Sequence, residues 1–417
     1  MTLGTARAGG EVARPERPGM FAALSVPSYP SILLAGWFWG ICRWGVSFLG
    51  AYLANSMTGS ARLVQLTGVA MWAPLLMGGV LGGVISDRFD RRRTVIAQFV
   101  VLVPLAAAMG VAGLADRIEL WMVYVFLVAV GIGWVADMTS RRAIIYDLVG
   151  PSRLDNAMAL ESLSSSTGLV LGALVGGSAI EAVGTGAAYL CIAGLGLVAL
   201  VLFARVPRVP RTTAARAESG LVAMRAGFRL LRTERALVSV LGVTAVVNFF
   251  FFAFTPLVQV VATDLGVGAF LTGVLASMVG FGMMAGSSFV ARNQPHRRGR
   301  VYVTGSAMAL VLLVPFALSP WFVTAALSLV VAATGMGLFG STQSTLVMTA
   351  VAPELRGRAL GLLSTAIGVL PIGMITLGEL AEAVGARAAI VTSAVTGGLA
   401  LVCWLLYRPD VARMTTD

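Results

Sequence analysis

Lysine is absent from this chain of 417 residues, histidine occurs once, and Asp and Glu together number 19. Charged residues make up 12% of the chain against 58% hydrophobic, and the mean hydropathy is +0.88. A soluble protein of this length could not bury so much apolar surface, so the composition points to an all-α membrane protein. The three cysteines, Cys42, Cys191 and Cys403, fall inside apolar segments with no pairing rhythm. That excludes a disulfide framework and a metal knuckle. His296 lies in a basic loop, and no phosphate-binding loop, nucleotide domain or cluster of His, Cys or acids has catalytic spacing. An enzyme is not expected, nor a cofactor or metal. Residues 1 to 30 are polar, contain proline and lack an apolar core, which reads as a tail and not a signal peptide.

What the chain does have is arginine, thirty of them, giving a net charge of +11 and a pI near 10.7. In a soluble protein that would suggest nucleic acid. Here the charge sits in short loops, so no nucleic-acid partner is expected. Arg7, Arg14 and Arg17, the run at 88 to 93, Arg141, Arg142 and Arg153, eight from 205 to 235, four from 292 to 300, Arg356 and Arg358, and Arg408 and Arg413 fall on one side. Arg62, Arg117 and Arg387 fall on the other, and Arg43 lies within a span. This asymmetry predicts both termini on the cytoplasmic face of a plasma membrane, with lipid as the surrounding partner.

About 20 apolar residues cross roughly 30 Å of hydrocarbon. Twelve such spans are expected, at 31 to 55, 63 to 86, 94 to 115, 119 to 142, 157 to 182, 185 to 205, 236 to 262, 267 to 291, 301 to 318, 321 to 348, 358 to 380 and 387 to 407. The domain reading is therefore a tail (1–30), a six-helix bundle (31–205), a linker (206–235), a second six-helix bundle (236–407) and a short tail (408–417). In the linker, Leu221, Met224, Phe228 and Leu231 share one helical face and Arg225, Arg229 and Arg232 another, which suggests a helix lying on the membrane surface. Two offsets tie the halves together: Asp87 and the loop opening at Ala291 are 204 residues apart, and Pro151 and Pro353 are 202 apart. Glycines at four-residue steps, Gly36 and Gly40, Gly78 and Gly82, Gly79 and Gly83, and Gly168, Gly172 and Gly176, suit close helix approach.

The stretch Gly83 to Arg93 carries Asp87, Arg88, Arg91 and Arg92 in the order Gly-x-x-x-Asp-Arg-x-x-Arg-Arg. It resembles the loop between helices 2 and 3 of the major facilitator superfamily, with Asp90 where that pattern has glycine. The resemblance implies two pseudo-symmetric six-helix bundles with a substrate site between them. It also implies a gate in which Asp87 meets the start of helix 11 while Arg91 or Arg92 reaches nearby acids. Thr58-Gly59-Ser60-Ala61, Asp147-Leu148-Val149, Leu154 to Leu160, Pro353 to Arg358 and Pro371-Ile372-Gly373 resemble the enterobactin-exporter-like branch of drug and siderophore exporters.

A charge at mid-membrane costs about 2.5 to 3.5 kcal/mol, so it is expected to face a cavity or a partner. Arg43, with Trp39 one turn before and Ser47 one turn after, is read either as facing the central cavity and attracting an anionic or polar cargo group, with Trp39 or Trp44 as a stacking wall, or as a pair with Asp137. Asp137 and Arg141 are four apart on one face, which suits a local ion pair at the gate. Asp137 and Glu161 are the candidate proton carriers, because removal from water raises a carboxyl pKa. In the second half Asn248, Phe252, Thr255 and Gln259 share a face of span 7 beside Pro256, and Gln343 lies in span 10. These are expected to line the cavity or to bond between helices. The expectation is a monomeric secondary transporter exporting a small molecule by alternating access in exchange for protons. An importer on the same fold, or a receptor that moves nothing, is the alternative.

Overall fold

The structure, a computed structural model, describes residues 22–76, 90–150, 153–207 and 230–415. Gly83, Asp87 and Arg88 of the loop motif, the pairs Gly78–Gly82 and Gly79–Gly83, and most of the linker helix lie outside the described residues. Among the described residues the secondary structure is helical, without strands. The helices are α1 (Tyr29–Thr58), α2 (Ala61–Leu76), α3 (Arg91–Leu114), α4 (Leu120–Val149), α5 (Leu154–Ala204), α6 (Arg235–Phe250), α7 (Val258–Asp264), α8 (Ala269–Asn293), α9 (Arg298–Leu318), α10 (Phe322–Thr349), α11 (Arg356–Ile367), α12 (Leu370–Val384) and α13 (Ala386–Tyr407). Ten described segments are long and apolar enough to cross a membrane. They count α6 with α7 as one, α11 with α12 as one, and α5 as one. The second expected span is described only as far as Leu76.

Local chemistry sets the ends. α1 starts with Pro30 in its first turn, where the missing N–H would be unpaired anyway. It stops at Gly59, whose φ of 62° lets its N–H reach the Asn55 carbonyl at 2.8 Å. Asp90, the departure from the glycine of the loop pattern, caps α3 by accepting from the Arg93 N–H at 2.8 Å. The 51-residue α5 is broken at Gly184, with φ 81° and ψ 171°, a conformation that disfavours any side chain. Gly385, at φ 86° and ψ 151°, divides α12 from α13 in the same manner. These two glycines are 201 residues apart, so the repeat legible in the loops reappears in the backbone.

Each half has its own core. One cluster of buried apolar side chains runs from Ala23 to Val206, and a second from Leu230 to Val411 takes in Ala61. Around them Val100, Val101, Val125, Val201, Val311, Val323 and Leu399 stay exposed. Helices apolar on both inner and outer faces belong in lipid. Packing between helices uses the small residues: a Cβ added at Gly168 would sit 3.1 Å from the Gly40 Cα, and one at Gly172 would sit 2.8 Å from the Gly45 nitrogen. α1 and α5 therefore touch backbone to backbone. Between halves, Gly177 and Gly273 do the same for α5 and α8.

One end of the bundle carries the described termini and most of the described arginines; we call it the basic end. There Arg91 pairs with Asp147 at 2.7 Å, and Arg92 donates to the Val206 and Ala204 carbonyls at 2.7 and 2.6 Å. A cation at the last carbonyls of a helix is favourably placed against its dipole.

Candidate functional site

Two helical spans are interrupted near mid-depth. In the seventh, α6 gives way to a 3₁₀ turn, Phe252–Leu257, that contains Pro256, before α7 resumes. Proline lacks the N–H that the helix needs and crowds the preceding turn, so the ladder cannot run through it. In the eleventh span α11 ends at Ile367 and α12 starts afresh with Pro371 in its first turn. Gly373 lets α12 close on the Phe249 carbonyl.

Both interruptions face a central cavity of about 250 Å³ between the two halves. Trp44, Ser47, Phe48, Trp72, Phe252, Thr255, Pro256, Gln259, Met283 and Met374 are among its walls. The lining is mostly apolar. Thr255 Oγ1 is spent on the Phe252 carbonyl at 2.6 Å, and Gln259 Nε2 points to the Phe48 carbonyl at 3.4 Å.

A second cavity of about 280 Å³ lies within the first half and is polar. Trp39, Arg43, Trp134, Asp137, Arg141 and Glu161 face it, with the exposed Arg142 and the hydroxyls of Ser162, Ser165 and Ser166. Between the two cavities stands a tryptophan cluster. Trp72 meets Trp134 edge-on at 4.8 Å, Trp44 is 6.4 Å from Trp72, and the Arg43 guanidinium lies 4.4 Å from the Trp44 ring and 4.5 Å from that of Trp134. A cation over an indole face, out of water, is stabilised by about 2 kcal/mol.

Arg141 is the hub of the polar cavity. Its Nε donates to Asp137 Oδ2 at 3.0 Å, its Nη2 lies 2.9 Å from the same oxygen, and its Nη1 lies 2.5 Å from Glu161 Oε1. Gln98 on α3 donates to Asp137 Oδ1 at 3.2 Å. The guanidinium fits because Gly36 on α1 has no side chain: it fills the space a Cβ there would take. Asp137 thus pairs with Arg141, four residues on, as the spacing implied. Among the described residues no ion pair joins Arg43 to Asp137.

The sequence candidates separate into three groups. Trp44, Ser47, Phe252, Thr255 and Gln259 come together around the central cavity. Trp39 and Arg43, expected at the central cavity, instead face the polar one together with Asp137, Arg141 and Glu161, because that face of α1 packs toward α4 and α5. Asn248 and Gln343 line neither; Asn248 Nδ2 donates to the Thr244 carbonyl at 2.9 Å and Gln343 Nε2 to Thr244 Oγ1 at 3.2 Å, beside Tyr302. Sequence reasoning passed over Trp134, Gln98 and Trp72. Trp134 is one turn before Asp137 on α4, and Gln98 is a buried polar residue in an apolar span, so both carried a signal. Trp72 carried none beyond its type.

Among the described residues, hydrogen bonds between the halves are found at mid-depth and at the end opposite the basic one. Gln65 Nε2 donates to the Ala253 carbonyl at 2.8 Å and Asn55 to Thr263 Oγ1 at 2.8 Å. Glu382 accepts from the Ser60 hydroxyl at 2.8 Å and from the Arg62 N–H at 3.2 Å.

The two halves, each with its own core, thus enclose a cavity walled by paired broken spans. The sequence model of the Major Facilitator Superfamily matches residues 32–372 and 296–416. The chain belongs to the major facilitator superfamily. It is a multi-pass membrane transporter and not an enzyme. Among curated relatives, Macrolide efflux protein A of Streptococcus pyogenes is 21% identical over 86% of this chain and 90% of its own. Multidrug resistance protein MdtH of Klebsiella pneumoniae is 28% identical over 130 residues, which is 28% of this chain and 30% of that protein. The chain thus matches less than a third of the length of the MdtH relatives. Among solved structures, a bacterial homologue of the lysosomal transporter Spinster, in an inward-facing and unoccupied conformation, superposes with a TM-score of 0.71 at 18% identity, covering 94% of this chain and 99% of the other. A D-xylose–proton symporter gives 0.70 at 18% identity over 93% and 99%. These similarities establish the transporter fold.

Proposed function

We propose that this superfamily member is an exporter of small organic molecules, a drug, siderophore or natural product, working by alternating access in a bacterial plasma membrane. The carrying observation is the apolar cavity between the halves, walled by the broken seventh and eleventh spans, with cross-half hydrogen bonds on the side away from the basic end. The basic end is taken as cytosolic, by the positive-inside rule, and export requires that the cavity take up cargo from that side. Discontinuous spans at mid-membrane are where such folds hold cargo. The multidrug and macrolide names of the relatives agree with export. Trp44, Ser47, Phe252, Thr255 and Gln259 hold the body of the cargo.

Asp137 and Glu161, both bridged by Arg141, carry the exchanged proton. Protonation of either removes half of the charge that holds Arg141, freeing α4 to shift against α1 and α5. The loop arginines, among them Arg91 and Arg92, steady the basic end in one state of the cycle. The transporter acts as a monomer. Accumulation of a radiolabelled macrolide and of a catecholate siderophore in inside-out vesicles, with and without an acid interior, tests this reading. Gradient-dependent uptake of either supports it. Movement in the opposite sense, or uptake indifferent to the gradient, overturns export by proton exchange.

A further inference from the structure

Trp39 and Arg43 stand one turn apart on α1 and both face the polar cavity. Each carries a donor without a hydrogen-bond partner among the described residues, the indole Nε1 and the guanidinium Nη1. Each is well buried, with exposures of 5% and 6%. Buried donors without partners are costly, and a ligand that supplies two acceptors at once would relieve both.

The charges around the cavity say what sort of acceptor it takes. Asp137 and Glu161 are both engaged by Arg141, and Arg142 is exposed at the mouth. Arg141 alone faces the two carboxylates, so with both ionised Arg43 brings the four buried groups to neutrality; once one of Asp137 and Glu161 carries the exchanged proton, Arg43 is the cation left over. The Trp44 and Trp134 faces offset part of its charge, yet they accept nothing from Nη1. A neutral ligand would satisfy the donors and leave the charge; a carboxylate satisfies both.

We infer that Arg43 and Trp39 form a subsite for a monoanionic acid group, and that the cargo is an organic anion whose apolar body lies against the tryptophan cluster. This rests on the proposed function in two respects: the ligand is the cargo, and one of Asp137 and Glu161 is protonated when it binds. The same chemistry would accept a free inorganic anion such as chloride, and the test separates the two.

The purified full-length protein in detergent is titrated by calorimetry with 4-phenylbutyrate, its neutral amide 4-phenylbutyramide, acetate and chloride. A charge-assisted hydrogen bond predicts that the acid binds about tenfold or more tightly than the amide. Arg43→Gln brings the two to parity, and Trp39→Phe, which keeps an aromatic ring and removes the N–H, narrows the gap several-fold. Should Arg43→Gln fail to fold, Trp39→Phe and Arg43→Lys carry the comparison, with Lys keeping a preference for the acid. Chloride or acetate binding as tightly as phenylbutyrate, and lost in Arg43→Gln, supports the subsite with a free ion as its ligand. Equal binding of acid and amide, no binding of either, or an acid preference that survives in Arg43→Gln overturns it. Because the readout is binding, a failure of vesicle export beside an intact acid preference sinks the exporter and leaves the subsite standing.

Discussion

At the scale of the residue, the site is a matter of which charges are satisfied. Asp137, with 1% exposure, receives bonds from Arg141 and Gln98, whereas Glu161 meets Arg141 through one oxygen and its Oε2 has no partner among the described residues. Asp137→Asn should therefore cost more thermal stability than Glu161→Gln, the former approaching the ~3 kcal/mol typical of breaking a buried pair. Melting curves of the two purified variants check the order. Gly36 is tied to the same triad. A side chain there would displace the Arg141 guanidinium, so Gly36→Ala should lose about 1–3 kcal/mol, as overpacked sites do. Gly340→Ala, where nothing lies within 4 Å, is the near-neutral control in the same melting assay. The i,i+4 spacing made Asp137 and Arg141 legible in the sequence. Glu161 as the third member was not, because a chain cannot show which helix a side chain crosses to.

At the scale of the element, two spans break where a cargo would sit. Pro256 is visible in the sequence as a kink, but the 3₁₀ turn over Phe252–Leu257 depends on how α2 and α12 pack beside it, with Gln65 bonding the Ala253 carbonyl. Pro256→Ala restores one N–H and permits a straighter helix. The expected outcome is a folded protein whose transport rate falls several-fold, measured in vesicles against its melting temperature. A rate equal to the parent would show that the break is incidental. Asn248 and Gln343 illustrate the opposite case. Asn248 shares its expected face of span 7 with cavity residues and Gln343 is a polar residue in an apolar span, yet both bond to Thr244 inside the second half, as buried polar residues do when a backbone or hydroxyl partner is within reach.

At the scale of the whole molecule, the two halves are latched at the end opposite the arginines. Glu382 accepts from Ser60 and from the Arg62 backbone, and Arg62 lies 3.9 Å from Glu379. These contacts are exposed, so each is individually weak. They act together on one equilibrium, and small differences there move populations. Glu382→Gln should raise the fraction open at that end. Spin labels at Met57 and Leu265, on either side of the seam, would report it as a longer-distance population. An unchanged distance distribution would remove Glu382 from the latch.

The membrane class, the repeat and the arginine asymmetry were determined by the sequence itself, because hydropathy and loop charge are local quantities that no packing can alter. The tertiary structure decided what faces what. It set Arg141 in the notch of Gly36, put a tryptophan cluster between two cavities, and left Arg43 on the polar side of that cluster. Those outcomes depend on the rotation and crossing of helices far apart in the chain, fixed by backbone contacts such as Gly40 with Gly168. Spacing along one strand of residues carries no measure of them.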